Sequence, residues 1–173
     1  ISLQHRNNLA ETMQRGIALH QKGQLEEAAH IYEQVLLNNP QHFEALKLLG
    51  ILAYQSGKTQ LAIELISQSI AINPSYADTH YNLGIALKEQ GKLEEAIQSF
   101  HQSLSLTPDD PKTYSNLGAV LKEQGNLDKA IQSCQRALVL NPGYAEAHNN
   151  LGVVLKEQGN LDKAIQAYQR ALV

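Results

Sequence analysis

A 34-residue period constrains this chain more than any other feature of it. Four of the five prolines, Pro40, Pro74, Pro108 and Pro142, fall 34 residues apart. Ten of the eleven glycines fall in two series with the same step: Gly16, Gly50, Gly84, Gly118, Gly152 and Gly23, Gly57, Gly91, Gly125, Gly159. A fixed period of this size marks a stack of supersecondary units. Each unit then needs contact only with its neighbours, and the chain need not build one central core.

The unit from Ala77 to Asp110 shows what repeats. Its first half carries His80, Leu83, Gly84 and Leu87 at helical i, i+3, i+4, i+7 spacing. Gly91 stops that helix, because glycine takes the left-handed conformation just past a last turn. The second half places Leu93, Ala96, Ile97, Phe100, Leu104 and Leu106 on one stripe, and ends near Pro108, which disfavours helix at the residue before it. The unit is a helical hairpin with a very short turn. Gly84 lies inside a helix, where glycine costs about 1 kcal/mol relative to alanine. The recurrence of that cost predicts close approach of the partner helix, with Ala96 and Ser103 as the small residues opposite. Pro111 opens a helix, where its missing N–H is harmless. Gly143, the glycine outside both series, is expected to let the last unit adjust its angle.

Composition excludes several classes. The net charge of −3 and pI near 6.2 offer no general attraction to nucleic acid or an acidic membrane. No apolar run is long enough to span a membrane and no signal-peptide pattern opens the chain. With one cysteine, Cys134, no internal disulfide is possible, and a cytoplasmic setting is expected. The first residue is Ile1 rather than Met, which suggests a piece of a longer polypeptide.

The residues that invite chemistry have plainer roles. His5, His20, His30, His42, His80, His101 and His148 have no Cys or His partner at metal-ligand spacing. His80 and His148 sit at a packing place of the repeat. Cys134 occupies the place held by Phe100 and Tyr168 in other units, so a buried, inert thiol is expected. Glu26-Glu27 and Glu94-Glu95 open second helices, where acids favour the helix N-terminus. No catalytic residue, metal or cofactor is expected, and the chain is read as a binding protein rather than an enzyme.

The motif small-x-x-x-Leu-Gly-x-x-Leu, followed by Gly, Ala, an aromatic, a small residue and Pro, resembles the tetratricopeptide repeat. His80, Leu83, Gly84, Leu87, Ala96, Phe100, Ser103 and Pro108 carry it in one unit; Tyr114, Leu117, Gly118, Leu121, Ala130, Cys134, Ala137 and Pro142 in the next. The units run 9–42, 43–76, 77–110, 111–144 and 145–173, after a lead-in of 1–8. Thr12 and Arg15 make the first the loosest match. The resemblance implies an all-α, right-handed solenoid (superhelix) of about five helix-turn-helix repeats, one continuous domain, with first helices lining a concave groove. It implies that the second, fifth, sixth, ninth, twelfth and thirteenth residues of each unit face that groove. The candidate groove residues are then Tyr81, Asn82, Ile85, Lys88, Lys112, Asn116, Ala119, Lys122, Asn149, Asn150, Val153 and Lys156.

Asn82, Asn116 and Asn150 recur at the sixth place as a ladder, while the earlier units have Gln14 and Leu48 there. Each amide has donors and an acceptor, and can hold a peptide backbone without reading its side chains. The alternative is that these asparagines are solvated or bond a neighbouring helix. The expected partner is an extended peptide or a partner helix, with no nucleic acid and no membrane. A carboxylate clamp for a chain terminus is incomplete: Lys47 is followed by Ile51, and Lys112 by Asn116. The ladder is also similar to the repeats of O-linked N-acetylglucosamine transferases and related bacterial proteins, which implies a substrate-targeting arm as an alternative function. A self-assembling structural array is the third.

Residues 116–139 and 150–173 differ only at Ala119/Val153, Ser133/Ala167 and Cys134/Tyr168. Such copies suggest an array that continues, and Leu161, Ile165 and Leu172 are expected to lack a partner. Solenoids need a polar cap at such an end, so stacking on a following segment or on another copy is expected, giving possible self-association.

Overall fold

The computed structural model describes residues 3–172, with side-chain surroundings from residue 8 onward; the side chain of His5 and the last residue, Val173, lie outside the described residues. Two compact units are present, Ile1–Ser75 and Tyr76–Val173. The first contains helices α1 (Leu3–Gln21), α2 (Leu25–Asn38), α3 (Phe43–Gln55) and α4 (Thr59–Ile72). The second contains α5 (Ala77–Glu89), α6 (Leu93–Leu106), α7 (Pro111–Glu123), α8 (Leu127–Leu140), α9 (Ala145–Glu157) and α10 (Leu161–Ala171). Within each unit every helix packs on the next in sequence, and the described residues contain no strand. Each unit is thus a run of stacked helical hairpins, the α-solenoid arrangement. Helix α1 takes in most of the lead-in before residue 9.

The short turns follow from the second glycine series. Gly91 has φ +72°, its N–H donates to the Lys88 carbonyl (2.8 Å), and the Lys92 N–H donates to the Leu87 carbonyl (3.0 Å). These are the paired bonds of a Schellman motif, which satisfies carbonyls left over at a helix end. The same pair closes α7 and α9 through Gly125 and Gly159. At the other ends, Asn39, Asn73, Thr107 and Asn141 are extended with φ near −140°, as a residue before proline must be. Asp110 caps α7 through the Lys112 and Thr113 N–H groups, with Pro111 in the first turn.

The first glycine series explains the hairpin core, with one correction. A Cβ on Gly84 would lie 2.7 Å from the Phe100 ring, so the aromatic, not Ala96 or Ser103, is what approaches. Tyr32 and Tyr168 press on Gly16 and Gly152 in the same way, and Cys134 Sγ on Gly118. The residue two turns into the second helix lies directly against the first helix, and the missing Cβ makes room for it. Beside this contact Ala28, Ala62, Ala96 and Ala130 are fully buried. Two smaller expectations also change. Leu106 leaves the stripe and is 42% exposed, because the helix ends there. Gly143 has no positive φ; its N–H donates to Asn141 Oδ1 (3.2 Å) as the Ser75 N–H does to Asn73 Oδ1, so that turn makes no use of glycine's conformational freedom.

Candidate functional site: one face of α5, α7 and α9

In Tyr76–Val173, α7 touches α5 on one side and α9 on the other. Helical periodicity puts the sixth, ninth and twelfth or thirteenth residues of each first helix on a single face. On α5 these are Asn82, Ile85, Lys88 and Glu89; on α7 Asn116, Ala119, Lys122 and Glu123; on α9 Asn150, Val153, Lys156 and Glu157. Ile85, Ala119 and Val153 are half-buried, and Lys112, Asn149 and Lys156 are exposed.

The three asparagines all donate through Nδ2, to different partners. Asn82 Nδ2 donates to the Asp78 carbonyl (2.7 Å). Asn116 Nδ2 donates to the Lys112 carbonyl (3.1 Å) and to the Tyr81 hydroxyl (3.3 Å). Asn150 Nδ2 donates to Ser115 Oγ (2.9 Å) and the Ser115 carbonyl (3.4 Å). A carbonyl can only accept, so in each case the amide nitrogen is the donor. Asn116 and Asn150 therefore tie their helix to the fifth residue of the preceding first helix. Asn116 is 7% exposed, whereas Asn82 and Asn150 are half-buried. Two rungs of the ladder, Asn116 and Asn150, thus bond the preceding first helix through their nitrogens, while Asn82 bonds within its own helix.

Aromatic and charged groups frame this face. The Tyr81 ring lies 6.0 Å from that of Phe100, tilted by 55°, which places the Tyr81 hydroxyl toward Asn116. Lys122 Nζ reaches Glu157 Oε1 at 3.8 Å across to the next helix; both side chains are partly exposed, so the pair contributes little to stability. Tyr144 donates to Glu146 Oε2 at 2.9 Å, and burial first, then this carboxylate, holds its phenol above the usual range.

The candidates for chemistry sit where packing puts them. Cys134 is fully buried and desolvation pushes its thiol up to about 12, while His101 is exposed. His148 is buried, with Nε2 2.8 Å from the Pro142 carbonyl, so that nitrogen carries the proton. Among the described residues no group of three or more His, Cys, Asp or Glu is placed to hold a metal ion, and no helix is long and apolar enough to cross a membrane. Two buried hydroxyls escaped the sequence reading: Tyr32 Oη and Thr79 Oγ1 have no partner. The signal for Thr79 was present. Its counterpart Thr113 gives its hydroxyl to the Asp110 carboxylate, but Tyr76, at the equivalent cap, makes no side-chain cap bond.

Comparison with known proteins agrees with this architecture. Family models described as tetratricopeptide repeat match residues 13–77, 65–98 and 109–172, and one described as TPR repeat matches 86–125. No curated protein matches the chain by sequence. Among solved structures, a crystal structure of MamA is 27% identical, with 91% of this chain and 92% of that chain covered and a TM-score of 0.83. A second MamA structure is 26% identical over 95% of this chain and 90% of that chain, with a TM-score of 0.84. YrrB, described as a TPR protein with an unusual peptide-binding site, is 21% identical over 93% and 83%, with a TM-score of 0.79, a likeness of fold alone. With matches running from residue 13 to residue 172 and hairpins built on the repeat's own glycines, the chain belongs to the tetratricopeptide repeat proteins.

Proposed function

We propose that the face shared by α5, α7 and α9 binds a segment of extended polypeptide through its backbone. The fold and family support a protein-interaction scaffold in general terms. The finer reading rests on one observation: each sixth-place asparagine gives an Nδ2 hydrogen to a carbonyl of α5 or α7, so the three amide oxygens stand as acceptors in register with half-buried Ile85, Ala119 and Val153. An acceptor row of this kind suits the N–H groups of a strand, and the apolar floor suits its alternate side chains. Adjacent helices stand about 8–10 Å apart, and extended chain advances about 3.3 Å per residue. Each rung then meets every third residue of the bound segment. Lys112, Lys156 and Asn149 line the margins, and Lys88, Lys122 and Tyr81 complete the wall.

Selection of 12-residue peptides from a random library tests this reading. Peptides recovered on the wild-type protein should lose at least tenfold in affinity for a variant with Asn82→Ala, Asn116→Ala and Asn150→Ala. Retained affinity in a folded triple variant would place the binding surface elsewhere.

A further inference from the structure

We propose that the groove between α8 and α10, floored by α9, takes an acidic peptide segment, with one carboxylate on Arg170 and a second on Lys163. Residues 116–139 and 150–173 are near-copies, yet 109–115 and 143–149, which lead into them, differ at every place. In the earlier repeat Arg136 is satisfied within the chain. Its Nη2 lies 3.3 Å from Asp109 Oδ1, and its guanidinium carbon 6.0 Å from the centre of the Tyr114 ring. Arg170 is the same residue 34 places on. There Gly143 stands for Asp109 and supplies no carboxylate, and His148 stands for Tyr114, with its Nε2 given to the Pro142 carbonyl. Neither Arg170 nor Lys163 has an ion pair among the described residues.

The missing side chain leaves space as well as charge. A hollow of about 910 Å³ lies over Leu138, Pro142, Gly143 and Ala145, with Gln166 and Arg170 on its wall. Through Leu138, His148 and Arg170 it continues into the groove along Ile131, Leu151 and Leu155, where Lys163 stands. Among the described residues no carboxylate lines either part, and Asp128, at the far end, is held by Gln158 at 2.9 Å. The groove between α6 and α8 has the same floor in Ile97, Leu117 and Leu121, and the same lysine in Lys129, but its lining does not reach Arg136, which Asp109 holds. This place is at the surface even inside a stack: α9 packs on the helix of Arg136, and that side chain is still 48% exposed.

The lining states what the occupant carries. A carboxylate satisfies Arg170 as Asp109 satisfies Arg136, and the guanidinium fork matches carboxylate geometry. Lys163 and Arg170 are seven residues apart on α10, about 10 Å along a helix, which is the span of about three residues of extended chain. Gln166 lies between them and can bond the segment's backbone. The segment therefore has acidic residues three apart and an apolar residue between them to cover the floor.

The probe is the end-capped peptide GELAEG, titrated into the whole protein under amide NMR beside its uncharged counterpart GQLAQG. Shifts should gather at Gly143, His148, Gln166 and Arg170, and GQLAQG should bind about fivefold more weakly. Arg170→Gln should cost about the same factor and Lys163→Gln about threefold; both side chains are exposed, so the variants fold. Gly143→Asp should weaken binding as much, by supplying the carboxylate from within the chain. The nearest atom to a Cβ there is Asn141 Oδ1 at 3.8 Å, so the turn accepts it. The triple asparagine variant should bind GELAEG as well as wild type, which separates this groove from the face of α5, α7 and α9. Equal binding of the two peptides, no shifts at millimolar peptide, full binding by Gly143→Asp, or equal shifts from inorganic phosphate would each overturn the proposal.

Discussion

The two faces of the first helices in Tyr76–Val173 obey different rules. The inner face meets the second helix of its own hairpin at Gly84, Gly118 and Gly152, where a Cβ would lie 2.6–2.7 Å from Phe100, Cys134 and Tyr168. Identity there is dictated by packing, since interiors leave no room for a methylene. The other face carries Asn82, Asn116, Asn150 and their apolar neighbours, half-open to solvent apart from Asn116. Unit Ile1–Ser75 keeps the inner rule, with Gly16 and Gly50 against Tyr32 and Ile66, yet has Gln14 and Leu48 in the asparagine places. The contrast shows that the asparagines are not a requirement of the hairpin.

Perturbing the buried side should have the largest effects. Burial disfavours the Cys134 thiolate and pushes the thiol up to about 12; unfolded, a thiol titrates near 8.5. The neutral thiol's stabilising contribution is therefore complete below about pH 8.5 and lost as pH rises toward 12, at about 1.4 kcal/mol per pH unit. Urea unfolding at pH 8 and pH 11 should show the wild type losing about 3 kcal/mol more than Cys134→Ala. Next comes Gly84→Ala. Its clash with the fully buried Phe100 ring costs about 3 kcal/mol and the better helix propensity returns about 1, so a net loss of about 2 kcal/mol is expected in denaturant melts.

The open face should respond less. Asn150→Ala strips a donor from Ser115 and should lose about 1 kcal/mol, whereas Asn82→Ala, which breaks a bond only within its own helix turn, should change stability by less than about 0.5 kcal/mol. At the cap between the faces, Thr79→Val removes an unpartnered buried hydroxyl and should stabilise by about 1 kcal/mol, while Thr113→Val should destabilise because it abandons the Asp110 carboxylate. Equal effects of the two threonine changes would contradict the cap comparison.

The repeat was legible because its signals are local. A glycine past a helix end, a proline after the next and an apolar stripe between them each act through their own backbone, so α3 to α10 could be anticipated from spacing. The partner of Gly84 was not legible, because which side chain enters the space of a missing Cβ depends on the azimuth of the second helix. The state of the asparagines was hidden for the same reason. The sequence shows three amides in register, but only the neighbouring helix reveals that Asn116 reaches the Tyr81 hydroxyl and Asn150 reaches Ser115, while Asn82 stays on its own helix. Thr79 is the converse case: comparing Tyr76 with Asp110 would have exposed it, had the caps been read alongside the stripes.

An N-methyl scan of a library-selected groove peptide tests the central claim most directly. If asparagine oxygens accept from the bound backbone, methylating one peptide nitrogen at a time should abolish binding at positions about three residues apart and leave the intervening positions tolerant, while alanine replacement of most side chains changes affinity only a few-fold. Uniform tolerance of N-methylation, with binding governed instead by side-chain identity, would contradict it.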